Sequence, residues 1–584
     1  MKHLSAPRKS SSWAAFLLLA VFSLPLLAGA SAVESSHPAP AALGVPSDAA
    51  IELRLARGQV WNGKTSLGAG ASLYMEGTLS GSHIPQATFD RATRTLTVSS
   101  PRPFLAGEMV QLLLPHREGF SGATLSFQVA AGPASARFEP RDRMAVGSGP
   151  NMLAAADLDT DGDVDLLVSE VLSKDGIHIF LNDGLGRFTT SDVLQVPGFE
   201  DPARFAVGDL DRDGNTDLVL VGESSANLIV LHGRGNGGFA AGEVLGLESG
   251  TPVQVVAGDL NLDGFEDVVV AHLGSSDRLT VLQGGPTGGF QRERRVRAGR
   301  GIQSLALADL DADGDLDLAT ANEETGGLAV LANGGDGRLE PAATLPTGGR
   351  PETVVAADMN ADGIADLVAV NQGTNEVSTF LGRGDLGYDA PVSCGIGDRP
   401  FIPALADLDG DGDLDLAVPG LFSDDVSILL NQGRGAFNLG ERLAVDPGPV
   451  AVAAADFDGN GTLDLAVASS VGDNVQVWAN IEVRDASAAA RGEIAGLAQN
   501  VPNPFNPATE IAYSLSRPGY VSLVVFNTSG KVVRTLVAGF QSAGHHFANW
   551  DGTSDEADRV PSGIYFYRLT TEETVELRRM ALLR

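Results

Sequence analysis

From about residue 150 to residue 480 the chain alternates short apolar runs with glycine-rich polar turns, and the order of runs returns about every 50 residues. In the first unit the apolar runs 154–156 and 166–168 flank an acidic stretch, a third run covers 177–181, and a fourth starts at Phe188. Runs this short, bounded by Gly, Asp and Ser, predict β-strands and not helices. Each unit reads strand, acidic loop, strand, turn, strand, glycine-rich turn, strand. Four short strands in about 50 residues is the size of a β-propeller blade.

The acidic stretch follows D-x-[DN]-x-[DN]-G-x-x-D and occurs seven times, starting at Asp157, Asp209, Asp259, Asp309, Asp358, Asp407 and Asp456. The starts lie 49 to 52 residues apart, too far for the nonapeptide repeats of a calcium-binding β-helix. A second marker follows the glycine-rich turn: Phe188, Phe239, Phe290, Leu339, Tyr388 and Phe437. The seventh copy stands at the other end, because Phe138 precedes Phe188 by 50 residues while the last unit stops at 475–478 without its own aromatic strand. The strand around Phe138 is therefore expected to complete the seventh blade and close the ring. An open array would leave sheet edges and faces unsatisfied.

The expected fold class is all-β, a seven-bladed β-propeller over residues 138–482 flanked by two Ig-like β-sandwiches. The first is placed at 48–132, where 94–98 and 109–114 alternate, and the second at 496–584, with strands at 510–515, 520–526 and 564–569. The Pro/Ala/Ser-rich stretch 33–47 and the Ala-rich 483–495 read as linkers. Residues 1–32 read as an export signal: Lys2, Arg8 and Lys9, the apolar run 14–28, and Ala30-Ser31-Ala32 as cleavage site, so that the mature chain begins near Val33. No later apolar run is long enough to span a bilayer.

Composition narrows the function. Among 584 residues, acids outnumber Lys and Arg 74 to 40, giving a charge of −34, or −37 after loss of the three signal-peptide cations. Nucleic acid would be repelled. Cys394 is the only cysteine, which excludes an intramolecular disulfide, a Cys-based zinc cluster and a CxxC pair.

Calcium takes six to eight oxygen ligands, and a loop offering side-chain oxygens at positions 1, 3, 5 and 9 with a backbone carbonyl at 7 can wrap one ion. The candidate ligands are Asp157, Asp159, Asp161 and Asp165; Asp209, Asp211, Asp213 and Asp217; Asp259, Asn261, Asp263 and Asp267; Asp309, Asp311, Asp313 and Asp317. The last three loops supply Asp358, Asn360, Asp362 and Asp366; Asp407, Asp409, Asp411 and Asp415; Asp456, Asp458, Asn460 and Asp464. Glycine at position 6, from Gly162 to Gly461, permits the sharp turn. An EF-hand would need a bidentate acid at position 12, where these loops carry Val168, Leu220, Val270, Thr320, Ala369, Val418 and Val467. Asp and Gly favour hairpin turns without any metal, but seven copies with every ligand position filled point to Ca²⁺, up to seven ions. They would carry 25 of the 74 acids and bring the mature charge to about −23. At the weak affinities usual outside cells, such ions act as braces rather than signals.

The DxDxDGxxD-L motif with a turn such as Gly233 to Phe239 resembles the FG-GAP or VCBS repeat family and looks like the propeller of integrin α chains, over residues 138–482. The resemblance implies calcium and a propeller; family members include adhesins, receptors and accessory modules of polysaccharide-degrading enzymes. The tail carries Asn500-Val501-Pro502-Asn503-Pro504-Phe505-Asn506-Pro507, Trp550-Asp551-Gly552, Pro561-Ser562-Gly563-Ile564-Tyr565 and Arg579-Met580. It is similar to the FlgD-like Ig domain used as a C-terminal sorting domain, which implies the type IX secretion machinery as partner and the exterior or outer surface of a Gram-negative bacterium, often with tail cleavage. Thr95-Leu96-Thr97-Val98 and 103–108 loosely resemble the SbsA-type Ig-like domain.

Enzyme motifs are missing from the sequence. The histidines, at 3, 37, 83, 116, 178, 232, 272, 545 and 546, form no HExxH and never occupy equivalent repeat positions, so they read as solvated or hydrogen-bonded. No GxSxG elbow, Walker loop or dinucleotide fingerprint follows a strand-to-helix pattern. The tripeptide Arg383-Gly384-Asp385 lies in a glycine-rich turn and reads as turn chemistry. The expected function is a non-catalytic binding or adhesion module for a surface glycan or protein ligand. A carbohydrate-active enzyme or its accessory subunit, and a structural surface-layer component, are the alternatives.

Overall fold

The structure, a computed structural model, describes residues 134–482 with short breaks, the strands of 33–132 and the strands of 497–582. The export signal, the segment 483–496 and the Asn/Pro stretch 498–508 lie outside the described residues. Two compact units result, one ending at Glu482 and one starting at Val483.

In the first unit the repeats form seven four-stranded antiparallel sheets, six of them from four consecutive strands. The seventh takes three strands from the last repeat, Pro449–Ala455, Asp464–Ser469 and Asn474–Glu482, and its outer strand, Ala134–Ala145, from the other end of the chain. Its register shows why the marker at Phe138 belongs to this sheet. Phe138 stands opposite Asn480, as Phe188 stands opposite Asn182, Phe239 opposite Gly233 and Phe437 opposite Asn431.

The sheets are held by apolar clusters between neighbours. Leu218, Leu220 and Ile229 of the second sheet pack with Leu167 and Ile179 of the first, and five further clusters join the second sheet to the third and so on to the seventh. Leu166, Val168 and Phe180 of the first sheet then pack with Ala451, Ala466 and Val475 of the seventh. The succession returns to its start, the arrangement of propeller blades. The second strands are buried at every residue, as in Asp165–Glu170 and Asp317–Asn322, except at the exposed end Leu273 of Asp267–Leu273, because they are covered on both faces by neighbouring sheets.

Ahead of the ring stand a four-stranded and a five-stranded sheet. The stretch 33–47, read as a linker, supplies a strand to each: Val33–His37 pairs with Ile51–Leu55, and Ala42–Val45 runs parallel to Ala123–Val129. Both are edge strands, which need only half their backbone groups paired, so little hydrophobic pattern marks them. These sheets meet the ring beside Glu108, a buried carboxylate that accepts hydrogen bonds from the amides of Leu79 (3.1 Å), Ser80 (2.9 Å) and Leu105 (2.5 Å) and from the Ser80 hydroxyl. It fixes the turn whose Leu79 carbonyl accepts the amide of Asp157 at 2.7 Å, and Leu79 packs into the cluster between the first and seventh sheets.

The second unit is a β-sandwich in which Thr509–Leu515 pairs with Gly544–Trp550, opposite a four-stranded sheet. Ile511, Tyr513 and Trp550 share a core with Leu523, Val525, Tyr567 and Met580. No helix among the described residues is long and apolar enough to cross a membrane.

Candidate metal centre

Every acidic loop joins the first and second strands of its sheet, and its backbone is folded around its own carboxylates. The amide of the position-6 glycine donates to Oδ2 of the position-1 aspartate in all seven, at 2.7 to 3.3 Å. The aspartate at position 9 is 0 to 1% exposed. Its Oδ1 accepts the amide of Asn182, Gly233, Gly284, Asn333, Gly382, Asn431 or Asn480 at 2.7 to 2.9 Å. In six loops its Oδ2 also accepts the position-2 amide.

Folding this way puts carboxylates against one another. Asp157, Asp159 and Asp165 bring ligand oxygens within 4.8 Å, as do Asp209, Asp211 and Asp213, Asp309, Asp311 and Asp317, and Asp407, Asp409 and Asp415. Burial, with neighbouring carboxylates adding to it, pushes Asp165, Asp317 and Asp366 up to about 7 and Asp267, Asp415 and Asp464 up to about 8, against the pull of their backbone donors. The enclosed Oδ1 of Asp159 has no hydrogen-bond partner. Clustered, buried and short of positive charge, these oxygens are a donor set that fits a hard divalent cation. In two of the loops with Asn the amide side chain meets a carboxylate. The Asn360 side-chain amide donates to Asp362 at 3.0 Å and that of Asn261 approaches Asp267 at 3.4 Å, easing the repulsion locally.

A family model described as FG-GAP-like repeat matches residues 157–220, 209–270, 259–320, 309–369 and 358–418, each span running from one acidic loop past the next. The chain carries FG-GAP-like repeats. A second model, the FlgD Ig-like domain, matches residues 507–574. No curated protein matched the chain. Solved structures that resemble it include BBS1N in complex with ARL6DN (11% identity, 60% of this chain and 98% of that one, TM-score 0.45) and a functionally unknown protein from Desulfotomaculum acetoxidans (12%, 55% and 89%, 0.39). A putative 6-phosphogluconolactonase from Bacteroides uniformis resembles it at 12% identity, over 70% of this chain and 100% of that one, with TM-score 0.41.

Three features of the FG-GAP loops were not drawn from the motif. Position 4 is left-handed in every loop: Thr160, Arg212, Leu262, Ala312 and Ala361 have φ of 53° to 62°, and Gly410 and Gly459 have 74° and 70°. Side chains with a Cβ are strained there, and nothing in those five residue types signals it. Position 7 adds a further carboxylate in three loops, Asp163, Asp315 and Asp413, with Asp315 pushed up to about 8 by burial and by Asp313. In four of the seven blades an asparagine ties the loop to the preceding one. The Asn182 side-chain amide donates to Val164 O and Phe457 O, Asn333 to Leu316 O and Leu260 O, Asn431 to Leu414 O and Met359 O, and Asn480 to Leu463 O and Leu408 O.

At the other end of the inner strands, away from the FG-GAP loops, burial raises the half-buried Glu352 against the opposing pull of the charges of Arg204, Arg399 and Arg350, the first on a strand of the second sheet and the other two in connecting turns. Arg350 also pairs with Glu323, and Arg399 lies 5.2 Å over the ring of the exposed Phe422. The Arg383-Gly384-Asp385 turn is internally satisfied: Arg383 pairs with Asp389, and Asp385 Oδ1 accepts the Gly387 amide at 2.9 Å.

Proposed function

We propose that the chain is an exported, calcium-braced seven-bladed propeller of the integrin α type, carried between two Ig-like sandwiches, and that it acts without catalysis as a binding or adhesion module on the bacterial surface. The observation that carries this reading is the sevenfold acidic loop, whose clustered, buried carboxylates fit cations and whose ring turns strand ends and turns into a rigid rim. Rigid scaffolds that present loops are the usual means of surface recognition. The FlgD Ig-like domain supports passage through the type IX machinery and a place outside the cell. The arginines around Glu352, in a chain of net charge −34, support that end of the ring as the one that meets a glycan or protein bearing anionic groups.

The test is to immobilise the full chain with calcium and present arrays of neutral and acidic polysaccharides, recording retention and reducing ends released. Retention that disappears on chelation, with no release, is the expected result. Release of reducing ends that stops when one carboxylate is changed would overturn the non-catalytic reading. Self-association with no retained ligand would favour a surface-layer component.

A further inference from the structure

The second FG-GAP loop has one donor that none of the other six has. The residue just before the one whose amide bonds the position-9 aspartate is Leu181, Gln283, Ala332, Leu381, Leu430 or Ala479 in the other blades, and His232 here. The strand Asn227–Gly233 carries it to the loop. Its Nδ1 lies 3.3 Å from Oδ2 of Asp217 and 3.4 Å from Oδ2 of Asp211, and the three groups converge within 4.8 Å. Asp217 is fully buried, and the His232 side chain is 24% exposed.

The ring is wedged in place by two glycines. A Cβ on Gly242 would fall 2.9 Å from Cδ2 and Nε2 of His232, and one on Gly288, in the turn of the next blade, 2.5 Å from its Cε1 and 3.1 Å from Asp211 Cβ. Any other residue at either place would displace the imidazole or the carboxylate. The turn of the third blade thus closes over a site made by the second.

We propose that the second loop is a zinc-class site, held by Asp211, Asp217 and His232 with a fourth position open to water, rather than a copy of the calcium sites proposed for its counterparts. Imidazole nitrogen suits zinc and other late divalent ions, whereas calcium prefers oxygen throughout. The separations fit as well: zinc bonds of about 2.0–2.1 Å in a tetrahedron place ligand atoms about 3.3–3.4 Å apart. The inference rests on the metal reading of the loops only in taking the second one as a cation site.

The experiment uses the full chain, stripped with chelator and returned to excess calcium, then titrated with Co²⁺ as a coloured substitute for zinc. The expected result is one equivalent of Co²⁺ with visible bands of low-coordinate cobalt, displaced by Zn²⁺ and not by calcium. His232→Ala should weaken this binding on the order of tenfold or more, while the calcium-induced rise in melting temperature persists. Equal Co²⁺ binding and spectra in wild type and His232→Ala would overturn the proposal, leaving an imidazole hydrogen-bonded to Asp217. Should His232→Ala fail to fold, X-ray absorption of the zinc-loaded wild type decides: imidazole back-scattering supports the site, and an oxygen-only shell removes it. A chain that binds Co²⁺ through His232 but shows no calcium effect would sink the calcium reading and leave this one standing.

Discussion

Replacing Asn182 by Ala isolates the closure between the first and seventh sheets. The backbone amide still reaches Asp165 Oδ1, so the loop's own bond survives. Lost are the side-chain donations to Val164 O at 3.1 Å and Phe457 O at 2.8 Å, both in buried surroundings, and the acceptance of the Asp183 amide at 2.9 Å. A buried carbonyl left without a donor costs about 1–3 kcal/mol, and a net neutral bond is worth about 1 kcal/mol. Counting two orphaned carbonyls near the lower end, and little for the partly exposed Asp183 amide, gives about 2–4 kcal/mol. Native-state hydrogen exchange of the full chain reads this locally, because the loss should fall on segments 177–182 and 456–466. Opening there should become easier by roughly 30- to 700-fold, at about 1.4 kcal/mol per tenfold, while exchange in the third to fifth sheets changes little. Protection unchanged within about threefold would refute the reasoning, showing that these carbonyls find other donors, as they must in the blades with Gly233, Gly284 and Gly382 at this position.

Four further outcomes are expected. Chelation of the full chain should lower the melting temperature of the ring and calcium restore it more than magnesium, since ions bound only by the native state stabilise it; no shift on adding calcium counts against the metal loops. Ala361→Gly should raise stability by about 1 kcal/mol by relieving the left-handed position 4, and Gly412→Ala, whose Cβ would meet nothing within 4 Å, should lose about 1–2 kcal/mol from backbone strain alone; urea midpoints with calcium present check both. Glu108→Ala should cost about 3–5 kcal/mol by stranding buried donors, and its effect should reach loop one through Leu79, read as faster exchange at 157–166. Burial raises Glu108 above its ordinary 4.5 despite those donors, so the folded state holds its proton more tightly and this group's contribution falls as pH rises from 4.5 through the folded value; the wild-type excess over Glu108→Ala should shrink across that window in pH-dependent unfolding.

What the sequence determined by itself was the motif and its spacing. Seven copies of one motif at near-constant spacing fix the number of sheets, the strand order within each and the side-chain oxygens of every loop, because local turn chemistry and alternation act over a few residues. Even the closure was legible, since Phe138 falls in phase with the other markers and pairs opposite Asn480. The three-dimensional structure alone decided how each loop's backbone folds and what depends on residues distant in sequence. The left-handed backbone at Ala312 is imposed by the loop's carboxylates and not by alanine's preference. The asparagine ties join positions up to 275 residues apart, and His232 became a neighbour of Asp211 only when its strand returned beside the loop. The edge strands in 33–47 were hidden for the related reason that their partners, from Ile51–Leu55 and Ala123–Val129, and not their own pattern, hold them in place. Short-range rules write the repeat; long-range packing brings His232, the residue by which one repeat differs, beside that loop's carboxylates.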